Sequence, residues 1–161
     1  MKSFRRENPK PVSFNSRSDE FPSLSNFYSG RFVVYFDSDP VMFRTAEAAF
    51  QAHKVYPYTR EVIDRLRGMG RGSEIRKIGR SLPLRPDWEE VKVDIMREVV
   101  IAKFLASSWD SRPRLELAAT GDRPLIHEAP WDPFWGTGRG GAGANMLGEI
   151  LEEVRFTLLN P

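Results

Sequence analysis

The 161-residue sequence contains no cysteine, which excludes disulfides, thiolate metal ligands and a cysteine nucleophile. Histidine is almost as scarce. His53 and His127 are the only two, and they lie too far apart to form an H-E-x-x-H pair, so a bound metal is not expected. No apolar run approaches the ~20 residues that a membrane-spanning helix needs. The start, MKSFRRENPKPVSF, is basic, but no apolar stretch of the secretory type follows it. An excess of one charge is missing too. The 24 basic and 22 acidic side chains leave a net charge of +2, which is only weak evidence for binding nucleic acid. A cysteine-free chain without these targeting features fits a cytoplasmic protein. With 40% hydrophobic residues, a chain of this length can bury roughly two-thirds of its surface as a single domain without a stapling metal.

Several local patterns stand out from this ordinary composition. Residues 1–11 are polar and carry two prolines, which predicts a flexible arm ahead of a domain spanning 12–161. RFVVYF, DSDP and VMF predict a β-hairpin with a four-residue turn. Thr45 can cap a helix over 46–55 that stops before Pro57, a second short helix fits 59–67, and Ser73 opens a third that ends at Gly79. Asp87 followed by Glu90 has the form of a capping box. Behind it, Trp88, Val91, Ile95, Val99 and Ala102 recur at helical spacing, with Met96 and Val100 widening the stripe. Ser111 and Pro113 open another helix, PLIHE (124–128) suits a short strand, and a last helix fits about 145–158. Helices outnumber short strands that do not alternate with them, so the expected class is α+β: mostly helical, with a small hairpin or short sheet.

Four stretches can carry chemistry. Half of the glycines lie in APWDPFWGTGRGGAGANMLGEIL (129–151). Gly138, Gly140 and Gly143 spell G-x-G-x-x-G, but no strand leads directly into them, which argues against a dinucleotide fingerprint. Gly136, Gly138 and Gly140 can instead present backbone N–H groups to a phosphate. Arg139 is the loop's charged side chain, and Asn145 stands where the loop enters the last helix. A purely structural loop that needs positive φ angles accounts for the glycines equally well. In TAEAAFQAHK, Glu47, Gln51 and Lys54 fall on one helical face, as either a solvated stripe or a carboxylate and amine aimed at a substrate. In FPSLSNFY, Ser25 and Asn26 sit between aromatics, as a base-sized slot or a loop anchor. His127 is either an acid/base or a structural neighbour of Glu128. Arginines and lysines gather over residues 60–85, as a solvated surface or a phosphate-facing patch.

Taken together and in order, FPSLSNFY, TAEAAFQAHK, IGRSLPLRPDWEEVKVDIMREVVIAKF and DPFWGTGRGGAGANMLG resemble the NADAR family, named for its association with NAD and ADP-ribose. The resemblance runs over about residues 14–158. It implies an α+β fold and hydrolysis of the C1′–N bond between a ribose phosphate, or ADP-ribose, and a base-like amine. Early riboflavin-biosynthesis intermediates and ADP-ribosylated guanine are the two substrate types, the second with nucleic acid as a carrier. No cofactor is implied. The helix glutamate of the family matches Glu47, its lysine Lys54, its acid before W-G Asp132, its tryptophan Trp135, and its R-x-x-W element Arg85 and Trp88. The chain departs at Ala48, where the family usually has histidine, and at His127, where it favours glutamate.

On that reading one carboxylate stabilises an oxocarbenium-like sugar and another activates water, with Glu47 and Asp132 as candidates. Lys54 can hold a phosphate, tune Glu47 or attack an opened sugar. Trp88 or Trp135 can stack the base. Two other readings compete: a non-catalytic ADP-ribose or nucleotide-binding module, and a nucleic-acid-binding protein.

Overall fold

The structure, a computed structural model, describes residues 9–106 and 111–161. Most of the expected arm lies outside the described residues, and residues 9–11 are exposed without regular structure. In chain order the elements are β1 (Val12–Phe14), β2 (Phe32–Phe36), β3 (Asp39–Phe43), α1 (Ala46–Ala52), α2 (Arg60–Arg67), α3 (Gly72–Ser81), α4 (Trp88–Phe104), α5 (Arg112–Ala119), β4 (Leu125–His127) and α6 (Met146–Leu159). Short 3-10 turns occupy Pro22–Leu24 and Arg139–Gly141. This is the expected α+β domain, with two two-stranded sheets. β2 and β3 form the hairpin. β1 pairs in parallel with β4, so that Phe14 stands opposite His127.

Two apolar clusters make the core. One joins β1, β4, α4 and α6 and includes Phe14, Phe50, Trp88, Met96 and Leu151. The other joins the hairpin to α1, α2 and α3. α1 is the wedge between them. Its alanines Ala46, Ala48, Ala49 and Ala52 face the hairpin cluster, and Phe50 faces the other. Small residues allow this close approach, and Ala48, one of the two departures noted above, is wholly buried there. The α4 stripe buries Trp88, Ile95, Met96, Val99 and Val100 as its spacing predicts, and each such side chain contributes about 1.5–3 kcal/mol of transfer free energy.

Local expectations fail where a side chain finds a better partner than its own helix or turn. The hairpin turn has two residues rather than four. Phe36 pairs with Asp39, and Asp37 takes the left-handed conformation (φ 55) that such a tight turn needs. Thr45 caps α1 by accepting the Ala48 N–H at 3.2 Å, but α1 ends at Ala52, which leaves Lys54 in the following turn. Asp87 makes no side-chain cap. Its carboxylate takes the Arg85 guanidinium at 2.6 and 2.9 Å instead. α3 runs through Gly79 to Ser81. A Cβ there would lie 2.0 Å from Oε1 of Gln51 on α1, so any other residue displaces that amide.

Candidate active site

A cavity of about 380 Å³ opens where the two clusters meet. Its walls come from α1, α4, the loop before β2 and the loop after β4. Glu47 and Gln51 of α1 reach it, Lys54 reaches it from the turn beyond, and Asn26, Trp88, Asp132 and Trp135 complete the predicted set that lines it. Seven residues scattered from position 26 to position 135 are thus brought to one space.

Glu47 is the centre of its polar network. The Gln51 amide Nε2 donates to its Oε1 at 2.7 Å, and its backbone N–H donates to the Asn26 carbonyl at 3.0 Å, tying the FPSLSNFY loop to the first turn of α1. That loop is held from behind by Lys103 of α4, whose Nζ donates to the Ser25 carbonyl at 2.7 Å. Asn26 is buried and turns its amide to Met96. Burial pushes the Glu47 carboxyl above the ordinary range, against the pull of the Gln51 bond and the Lys54 and Arg76 charges. Burial likewise lowers Lys54, opposed by the Glu47 charge. Lys54 stands 5.8 Å from the Trp88 ring centre.

Asp132 is held differently. Its Oδ1 accepts the backbone N–H groups of Phe134 at 3.1 Å and Trp135 at 2.8 Å. This turn fixes the carboxylate and sets the two aromatic rings beside it. Phe50 then contacts Trp88 at 5.0 Å and Trp135 at 5.4 Å between ring centres. The aromatic wall is therefore packed from the core outward. Trp88 is both a core member and a lining residue.

Other predicted residues stand off the cavity. Arg85 does not line it. Its guanidinium is spent on Asp87 and on the Tyr56 ring at 4.7 Å, while its backbone N–H donates to the Lys54 carbonyl at 2.7 Å and so backs the turn that carries that lysine. Asn145 is a clamp: its Oδ1 accepts the His127 N–H at 2.8 Å and its Nδ2 donates to the Leu125 carbonyl at 2.9 Å, locking α6 to β4. Gly136 packs against Ala129, and Gly143 lies on the loop's own backbone, where a Cβ would meet the Gly136 carbonyl at 2.3 Å. Gly138 and Gly140 line a neighbouring groove of about 600 Å³. Arg139 is exposed and lines neither space.

The structure adds residues that spacing did not single out. Lys92 and Met96 join Trp88 at four-residue steps along α4, a signal that was present but is identical to that of a core stripe. Arg76 of α3 lines both the cavity and the groove, with its guanidinium 4.8 Å from the Phe27 ring centre. Trp131 does the same and is 75% exposed, a position that burial alone would not choose for indole. His127, already named as a candidate acid/base or a structural neighbour of Glu128, lines the cavity as well.

A half-buried carboxylate with raised proton affinity, a second carboxylate anchored by backbone amides and an aromatic wall thus line one cavity. The matching family model is the NADAR domain, over residues 13–159, and the chain belongs to that family, whose curated members include hydrolases named N-glycosidases. It is 34% identical to the N-glycosidase YbiA of Shigella sonnei, over 91% of this chain and 88% of that protein. It is 39% identical to the N-glycosidase Npun_R5314 of Nostoc punctiforme, over 72% and 74%. It is 30% identical to the chloroplastic riboflavin biosynthesis protein PYRR of Zea mays, over 92% of this chain but only 25% of the maize protein, so the chain spans about a quarter of that relative's length. The NMR structure of the E. coli protein YbiA superposes with a TM-score of 0.77 at 31% identity, covering 96% of this chain and 88% of that one. No helix among the described residues is long and apolar enough to cross a membrane.

Proposed function

We propose that the protein is an N-glycosidase that hydrolyses the C1′–N bond of a phosphorylated ribosyl-amine. The observation that carries this reading is the pairing of Glu47 and Asp132 in one aromatic-walled cavity under different constraints. Breaking a C1′–N bond leaves positive charge on the sugar and negative charge on the departing nitrogen. Asp132, oriented through Oδ1, offers Oδ2 to the oxocarbenium-like ring. Glu47, whose burial favours its protonated form, supplies the proton that the nitrogen needs. Lys54 keeps a positive charge beside Glu47 and returns it to the carboxylic state less readily than burial alone would. Its cation also suits a sugar hydroxyl or phosphate. Trp88 and Trp135 offer faces for the base, worth about 1–3 kcal/mol. The phosphate points toward the groove lined by Gly138 and Gly140, with Arg76 at the junction.

Both a ribosylaminopyrimidine phosphate, of the kind used early in riboflavin synthesis, and ADP-ribosyl-guanine, free or carried on nucleic acid, present this ribose phosphate. The names of the N-glycosidase and riboflavin biosynthesis relatives support hydrolysis, and the first substrate type in particular. The test is incubation with each substrate class followed by mass spectrometry of the released base. Release from either one supports the reading. Saturable binding of both without release would make the domain a nucleotide reader instead.

A further inference from the structure

His127 is a cavity residue that the mechanism above leaves idle, and its setting is more elaborate than packing requires. Its ring stacks on Phe14, with centres 5.3 Å apart. Its backbone N–H is held by Asn145 and its carbonyl accepts the Thr137 N–H at 3.0 Å. Nδ1 lies 3.2 Å from the Trp135 carbonyl. A carbonyl only accepts, so that contact places the hydrogen of the neutral ring on Nδ1 and a lone pair on Nε2. No described protein group bonds Nε2. The ring itself lines the cavity, which is the space where a bonding partner for Nε2 can stand. Glu128 cannot take this place. The ladder continues past His127, with the Glu128 N–H on the Phe14 carbonyl at 2.9 Å, and successive strand residues face opposite sides. The exposed Glu128 therefore lines the neighbouring groove rather than the cavity.

We propose that His127 is a catalytic base for the hydrolysis, taking the proton of the attacking water on Nε2. The inference rests on the N-glycosidase reading. The step balances as follows. The water oxygen bonds to C1′ as the C1′–N bond breaks, and the electron pair of that bond stays on nitrogen. Nitrogen takes the Glu47 proton while the water proton passes to Nε2. The imidazolium and the Glu47 carboxylate then re-equilibrate through solvent, so one water is consumed. The charged groups that share the cavity with the ring are Asp132 on the loop after β4, which favours the imidazolium, and, on the other walls, Glu47 and Lys54 from the α1 side, Arg76 from α3 and Lys92 from α4. Burial outweighs Asp132 and holds the imidazole below its ordinary pKa of 6.5, so the base form is present at neutral pH.

The decisive variants are His127→Phe, which keeps a ring on Phe14, and His127→Gln, which keeps a polar group but cannot titrate. Each should lower kcat about 100-fold, leave KM and ribose 5-phosphate binding within about threefold, and erase the acid limb that protonation of His127 is expected to give the wild-type pH–rate profile. Histidine-ring NMR of the wild type should show Nδ1 protonated and the Nε2 signal moving on addition of ribose 5-phosphate. Wild-type kcat with an unchanged acid limb in His127→Phe would overturn the proposal, as would an Nε2 signal indifferent to ribose 5-phosphate. If the wild type hydrolyses no ribosylamine, the N-glycosidase reading fails, and with it the base role, whatever the ring signal shows.

Discussion

α1 and the loop after Asp132 meet at one cavity but are built on opposite terms. α1 is a nearly buried helix: six of its seven residues are buried, and Glu47, the seventh, stands half-buried at the cavity. Charge is costly in that setting, so Glu47 and Lys54 shift their proton affinities toward neutrality. The loop contributes a braced backbone. Thr137, Gly138, Gly143 and Asn145 all donate main-chain hydrogen bonds within it or to the strand before it. Its aspartate is aimed by two amides, and only the tip at Gly140 and Gly141 has open space around it. The contrast separates two ways of making a site. Burial tunes a group's chemistry, and backbone geometry sets its position.

The largest test of the contrast is Glu47→Gln, which keeps shape but removes the tuned proton. It should lower turnover about 1000-fold, equivalent to ~4 kcal/mol of barrier, in a base-release assay. Stability should respond in the other direction. A carboxyl whose folded pKa is raised binds its proton more tightly in the native state than in the unfolded chain. Its favourable contribution is present at acid pH and is lost as pH rises from 4.5 through the raised value. Urea midpoints of Glu47→Gln against wild type should therefore compare better for the variant at pH 8 than at pH 4. A variant that turns over normally would make Glu47 an ordinary surface acid.

On the loop side, Gly143→Ala should destabilise by about 1–3 kcal/mol, because a Cβ there collides with backbone that cannot move aside. Gly79→Ala acts on function rather than on stability. Its Cβ strikes a side chain that can swing, and alanine recovers up to about 1 kcal/mol of helix propensity. Its signature is on function: displacing Gln51 removes the hydrogen bond on Glu47, so kcat should fall while thermal unfolding moves little. Gly140→Ala is the smallest, about 1 kcal/mol from left-handed strain (φ 72) with no clash. Equal effects at positions 140 and 143 would show that the loop is not braced as described.

Much of this was legible beforehand. Helical spacing found the α4 stripe, and the α1 motif placed Glu47 beside Gln51. The Gly loop was recognised as a unit, but the division of labour among its glycines was not, since close backbone approach leaves no mark in a one-dimensional pattern. Asp87 had the spacing of a cap and became the partner of Arg85. Arg85 matched a site motif and became a support for the Lys54 turn. The parallel pairing of Val12–Phe14 with Leu125–His127 joins residues over a hundred positions apart, which no local periodicity reports.

The sequence by itself determined the class of fold, the order of the helices and the exclusion of thiol chemistry, because propensity, patterning and composition act over a few residues at a time; Glu47 and Asp132 entered as candidates through the family resemblance. Tertiary structure alone decided that Arg76, Lys92, Trp131 and His127 share the cavity with them, and that Asn145 and Arg85 stand behind it. It also decided that burial raises the proton affinity of Glu47. Desolvation depends on everything packed around a group, and the neighbours that bury Glu47 come from segments that meet only when the two clusters close on α1.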